Sequence, residues 1–350
     1  MRGQCALFLL FVVGCPPIWG QTTKSLEQRR KENLQRILEQ QNSKWRDPNS
    51  LVKRIVHQNK ILRIVNYILS LPESEIDIAR VSFTLSKDAF PDLDLNVVGN
   101  EFEAIVANAK SFIPPDVGPE YRLRALNTLF YRKMGIEYNR DDYMGEKLPN
   151  RYVHGVIQTK KGTCANMPVF YIAVAQRLGY PVYGVRAPQH LFARYVDPEL
   201  KMQNIEATNG GGWSSNEKYI EDTKINPVAL KNKVYLETMT NRQLAAELIA
   251  DHATFFYGRI KKDQDTAIKI LERVMQIIPN SAEFWYMMGQ LQQQLARKDL
   301  DPWARKAQDA KGRALRWRAA ELGLGAPLRE GYWKQEENKK MGREIRRPAL

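Results

Sequence analysis

Cys164, His190 and Glu206 are the three kinds of group that cysteine-dependent acyl transfer needs, met here in the order nucleophile, base and an acid to orient the base. A thiol becomes a nucleophile near neutral pH when its surroundings favour the thiolate. A helix N-terminus or an adjacent imidazole does this. The imidazole then holds the thiol's proton and returns it to the departing amine. A lone Cys in an apolar helix is also the pattern of a buried, inert thiol, and a histidine following Pro188 and Gln189 also fits a strand edge. On composition alone the inert thiol is the commoner pattern, and the joint spacing of the three residues sets the chemical reading beside it.

The elements that must position these groups are legible around them. Residues 164–178 are mostly apolar and stop at Gly179 and Pro181, which predicts a buried helix with Cys164 in its first turn. Pro168 is tolerable near the start, where amide hydrogens lack partners anyway. Residues 182–185 read as a strand, and the alternation of residues 190–196 as a second one. Asp197 and Pro198 make a turn. Residues 204–208 read as a third strand, ended by Asn209 and three glycines.

Two carboxylates compete to orient His190. A hairpin pairing Tyr195 with Lys201 brings Glu206 opposite His190. Asp197 lies seven residues along the same extended segment, roughly 23 Å away at 3.3 Å per residue, and reads as a turn former. His154, ten residues before Cys164, is a rival base; His57 and His252 fall on helices outside the core and read as structural. For an oxyanion, the backbone N–H of Cys164 is available, with the side-chain amides of Asn150 and Gln189 as further donors. The four histidines have no metal-ligand spacing and there is no calcium loop, so the sequence requires neither metal nor cofactor.

The rest of the chain reads as helices. Residues 51–69 carry apolar side chains near helical spacing after Ser50, and Pro72 closes them. Ser74 is placed to cap the next helix, Phe102 to Phe112 mark another, and Leu123, Leu126 and Leu129 a third. In residues 241–320, Ala267, Leu271 and Pro279 match positions of a 34-residue tetratricopeptide unit, and Trp285, Met288 and Gly289 suit the start of the next. One good and one degenerate unit are too few for a free superhelix, so these helices are expected to pack on the core. Trp303 and Trp317 read as packing residues.

The chain has 350 residues and 43% apolar composition, enough for two domains with a sizeable core plus extensions. A mean hydropathy of −0.48 with one short apolar run excludes a multi-span membrane protein. Three cysteines exclude a disulfide-dense scaffold. The net charge of +14 is uneven. Residues 21–70 carry 11 Lys/Arg against 4 Asp/Glu, residues 290–350 carry 15 against 8, and residues 71–289 carry 26 against 27. Basic flanks therefore surround a neutral centre. They read either as solvated helix and tail surface or as contact with an anionic envelope surface such as phospholipid or wall polymer. No zinc-finger or RNA-binding signature points to a specific nucleic acid.

Arg2 followed by the apolar run Ala6 to Val13 has the form of an export signal. It has two exits: cleavage after Gly20, or a lipoprotein box ending at Cys15, which would then be lipidated. Either way the expectation is export, to the periplasm or outside, or to a membrane as a lipoprotein. The expected divisions are a signal at 1–20, a helical lead-in at 21–71, a catalytic-type domain at 72–235, a tetratricopeptide-like region at 236–322 and a basic tail at 323–350.

Several of these motifs together resemble the transglutaminase-like superfamily. They are Gly162-Thr163-Cys164, the run Ala175 to Pro181, and Gly184 through His190. More narrowly they resemble its bacterial SirB-type branch, which joins this core to tetratricopeptide-like helices. Residues 76–80, 90–94, 126–127 and 139–143 with Asn150 extend the likeness over about 74–213. The resemblance implies a papain-like α+β fold, with the Cys-bearing helix packed on an antiparallel sheet. It also implies Cys164 as nucleophile, His190 as base and Glu206 as orienter, where the superfamily ordinarily has Asp. The function expected is acyl transfer on amide or peptide bonds, as a protease, amidase or crosslinking enzyme, with a peptide or protein as substrate. Members of the SirB-type branch often lack the cysteine. This keeps a second function open: a non-catalytic envelope scaffold that binds a protein partner through its C-terminal helices.

Overall fold

Capping side chains and prolines set where the helices of this chain begin. The computed structural model describes residues 51–200, 203–298 and 301–325, and those from Arg54 onward form one compact unit. The expectations for the export signal, Cys15, the lead-in before residue 51 and most of the basic tail lie outside the described residues. Helix α1 spans Leu51–Ser70 and buries Ile61, Ile64, Val65 and Ile68 at helical spacing. Helix α2 spans Ile78–Ala89, and Asp77, not Ser74, caps it by accepting the Arg80 N–H at 3.1 Å. Glu73–Glu75 form a separate short turn before it, so the sequence signal for a cap was three residues early. Asp94 caps α3, Leu95–Phe112, through the N–H of Asn96 at 2.8 Å. Helix α4, Pro119–Asn127, opens on a proline and runs on as a wider turn over Thr128–Lys133.

The centre is α+β. A short parallel pair joins β1, Glu137–Tyr138, to β2, Lys161–Gly162, with helix α5, Val153–Thr159, between them. Helix α6, Met167–Arg177, follows. Its residues from Met167 to Ala175 are all buried, so it is apolar all round, as a helix enclosed by its neighbours must be. It packs on α2, α3 and α5 and on two strands, β3, Val182–Ala187, and β4, His190–Tyr195. With β5, Asn204–Ile205, these make an antiparallel sheet in the order β3-β4-β5.

The register differs from the one expected. Ala193 pairs with Ile205 and Arg194 with Asn204, and the Tyr195 N–H reaches Gln203 O at 2.8 Å. The β4–β5 connection is therefore two residues longer than predicted. Asp197 does serve as a turn former within it, accepting the Glu199 N–H at 2.9 Å.

Helices α7, Asn216–Thr223, and α8, Pro227–Lys231, lead to α9, Asn241–His252, which starts in a Thr240–Gln243 capping box. The C-terminal helices are α10, Gln264–Val274, α11, Ala282–Ala296, and α12, Pro302–Glu321. Among the described residues no tetratricopeptide repeat is identifiable in these helices of 11, 15 and 20 residues. Trp303 and Trp317 are exposed, which corrects their reading as packing residues. The region does pack on the core: Ala282 and Leu322 join Val185, Ala187, Phe192 and Tyr235 in one apolar cluster. Among the described residues no helix is long and apolar enough to cross a membrane.

Candidate functional site

His190 opens strand β4, directly after a two-residue turn of Pro188 and Gln189, and its side chain is 22% exposed. Its Nε2 lies 2.7 Å from Glu206 Oε2. Glu206 stands just past β5, where it caps a short turn over Ala207–Asn209. In the observed register a continued ladder would put Glu206 opposite Phe192, one same-face position beyond His190. The carboxylate must therefore reach along a diagonal. Glu offers one methylene more than Asp for that reach.

The other bonds of Glu206 hold it in place. Oε2 accepts the Tyr219 hydroxyl at 2.9 Å, and Oε1 accepts the Thr208 hydroxyl at 2.6 Å and its N–H at 3.2 Å. The Tyr219 ring stacks on Phe192 with centroids 4.2 Å apart, and the His190 ring lies against both. Burial alone would neutralise each partner. Instead the charge and hydrogen bond of Glu206, with a further contact from Cys164, raise the His190 pKa to about 10. Burial likewise opposes ionisation of Glu206, but His190, Thr208 and Tyr219 hold its pKa down to about 2. The favoured state is imidazolium beside carboxylate.

Cys164 is half-buried beside His190 and, among the described residues, is a free thiol. It does not lie in the first turn of the helix. It sits in the turn between β2 and α6, three residues before the helix starts. Asn166 shapes that turn: its Oδ1 accepts the Thr163 N–H at 2.8 Å, and its Nδ2 donates to Tyr152 O at 3.1 Å. An apolar-run reading does not detect a side chain that bends the backbone back on itself. Gly162 is needed for the same close packing. A Cβ there would stand 2.5 Å from Met167 Cγ and 2.6 Å from Asn166 Oδ1.

The remaining expected residues are elsewhere. The Asn150 amide is buried and donates to Asp142 Oδ2 at 2.5 Å, so it is not free to serve an oxyanion. The Gln189 side chain is exposed at the turn. His154 is buried with Nδ1 2.9 Å from Ser86 Oγ, and burial lowers its pKa to about 4. His252 and His57 belong to a buried network around Asp88. Thr208 and Tyr219 were not foreseen: nothing local marks Tyr219, which reaches Glu206 from a separate helix. An open cleft of about 220 Å³ lies beside the site, lined by Tyr131, Tyr138, Arg140, Met167 and Thr208 among others, but not by Cys164 or His190. Among the described residues no cluster of three or more His, Cys, Asp or Glu is arranged to hold a metal ion.

Comparison with known proteins bears on the fold around this geometry. Residues 96–250 match the family model of the transglutaminase-like superfamily, and this stretch is a transglutaminase-like domain. Two curated relatives are UPF0162 proteins of Xylella fastidiosa. The one from strain Temecula1 is 21% identical over 229 residues, covering 64% of this chain and 79% of the relative. The one from strain 9a5c is 23% identical over the same shares. Among solved structures, a crystal structure of menin, titled as revealing the binding site for the Mixed Lineage Leukemia (MLL) protein, matches with a TM-score of 0.50. It is 13% identical, over 81% of this chain and 67% of menin, a likeness of fold alone.

Proposed function

We propose that the domain performs cysteine-dependent acyl transfer on amide bonds, with Cys164 as nucleophile, His190 as base and Glu206 as its orienter. The observation that carries this reading is the 2.7 Å bond from His190 Nε2 to Glu206, with Cys164 beside the same ring. With Nε2 held by the carboxylate, Nδ1 is the nitrogen left to hold the proton given up by the thiol, so the reactive form is a thiolate beside the imidazolium. Sγ then attacks the amide carbonyl, and His190 returns that proton to the departing amine. Water or a second amine resolves the thioester: His190 removes a proton from it as it attacks, and the thiolate leaves and is reprotonated. Hydrolysis makes the protein a protease or amidase, and capture by an amine makes it a crosslinking enzyme.

A second reading is a non-catalytic, partner-binding protein on the same core, and the comparisons lean toward it. They supply a fold and no reaction, and the menin structure is titled for a protein-binding site. The narrower SirB-type assignment, the tetratricopeptide-like character of the C-terminal helices and export from the cytoplasm belong to the proposal. Export is checked by determining the N-terminus and mass of the mature chain.

One experiment separates the two readings. Alkylation of Cys164 is followed by peptide mass spectrometry across pH in the full chain and in His190→Ala. The acyl-transfer reading expects labelling at pH 6 that slows in His190→Ala, and loss of amide turnover in Cys164→Ala with the fold intact. Labelling that ignores His190 supports the binding reading.

A further inference from the structure

The turn that presents His190 is held from a helix outside the transglutaminase-like stretch. Gln189, the residue before His190, has φ +52°, in the left-handed region that glycine enters freely and other residues do not. Its N–H donates to Glu283 Oε1 at 3.0 Å. Glu283 lies in the first turn of α11, with its side chain 15% exposed. The same carboxylate accepts Arg186 Nη1 at 2.5 Å through Oε2 and the Tyr235 hydroxyl at 3.2 Å through Oε1. Arg186, on the strand entering the turn, is also paired with Glu247 and lies 4.4 Å over the Phe284 ring. One carboxylate thus ties together the strand before the turn and the strained residue within it. His190 is the next residue, paired across the turn with Ala187.

We infer that Glu283 is a positioning residue for His190: it holds the β3–β4 turn so that the imidazole meets Glu206 and Cys164. The C-terminal helices are then part of the site's construction. A shift of α11 would move the turn and with it the base. This inference rests on the reading of Cys164 and His190 as a working pair.

The test uses the full chain with Glu283→Ala, Glu283→Gln and Glu247→Gln. Two readouts are taken: the His190 ring titration by NMR, and the Cys164 alkylation rate at pH 6. Misplacing a reacting group by about 1 Å costs on the order of a hundredfold, so Glu283→Ala is expected to slow labelling ten- to a hundredfold. It should also move the His190 titration down toward the ordinary range, a change that a merely structural role for Glu283 would not produce. Glu283→Gln keeps an acceptor for the turn and recovers part of the rate. Glu247→Gln removes a carboxylate from Arg186 without touching the turn and leaves labelling at the wild-type level. Adding Gln189→Gly to Glu283→Ala relieves the strained turn and restores part of the rate. This rescue also keeps the test decisive if Glu283→Ala alone folds poorly. If wild-type labelling depends on His190 while Glu283→Ala labels and titrates like wild type, the positioning role is refuted and the acyl-transfer reading stands. If wild-type labelling does not depend on His190, the acyl-transfer reading itself fails.

Discussion

Shortening the orienting acid by one methylene tests the diagonal geometry directly. In Glu206→Asp the charge stays but the carboxylate withdraws by about one C–C bond, ~1.5 Å. The 2.7 Å contact to His190 then opens to about 4.2 Å, beyond hydrogen-bonding range. At an effective dielectric of about 20, the pair attraction falls from about 6 to about 4 kcal/mol. A loss of about 2 kcal/mol lowers the His190 pKa by about one and a half units. NMR titration of the ring in the full chain reads this against the wild-type value of about 10. Glu206→Gln, which removes the charge as well, should fall further, toward the ordinary value of about 6.5. If His190 in Glu206→Asp titrates as in wild type, then the reach across the register is not what requires Glu.

Three further outcomes follow from the same contacts. The His190–Glu206 pair makes stability bell-shaped in pH. The depressed Glu206 pKa stabilises the fold above its unfolded value of about 4.3 and is lost as pH falls toward 2. The raised His190 pKa stabilises it below about 6.5 and is lost as pH rises toward 10. Thermal melts from pH 3 to 10 should flatten on both limbs when both residues are replaced. Asp88→Ala removes the carboxylate that stands 3.0 Å from His252 Nε2 and 2.5 Å from the Tyr257 hydroxyl, leaving His252 Nε2 without this buried partner and Tyr257 with His57 Nε2 at 2.9 Å. Breaking this buried network should cost about 3–5 kcal/mol in urea unfolding. Gly162→Ala forces its Cβ against Met167 and Asn166, and should cost about 1–3 kcal/mol while slowing Cys164 labelling through the displaced turn.

Much of the centre was legible from local pattern. The apolar run closed by Gly179 and Pro181 marks α6, and the alternation after Pro181 marks β3 and β4, because burial and turn chemistry act within a few residues. The register of β5 was not legible for a specific reason. Side chains alternate with period two, so a two-residue slip leaves every residue on the same face and the sequence pattern unchanged. The helix start was misread because Asn166 acts on the backbone, which hydropathy does not record.

By itself the sequence determined the order of thiol, imidazole and acid, the strand that bears the imidazole and the neutral, core-forming centre between basic flanks. All of these follow from residue type and near-neighbour spacing. Only the tertiary structure decided that Glu206 reaches His190 diagonally, that Tyr219 and Thr208 hold the carboxylate, and that Glu283 closes the turn from a helix 94 residues away. Those contacts depend on how separate elements pack, which no local pattern encodes.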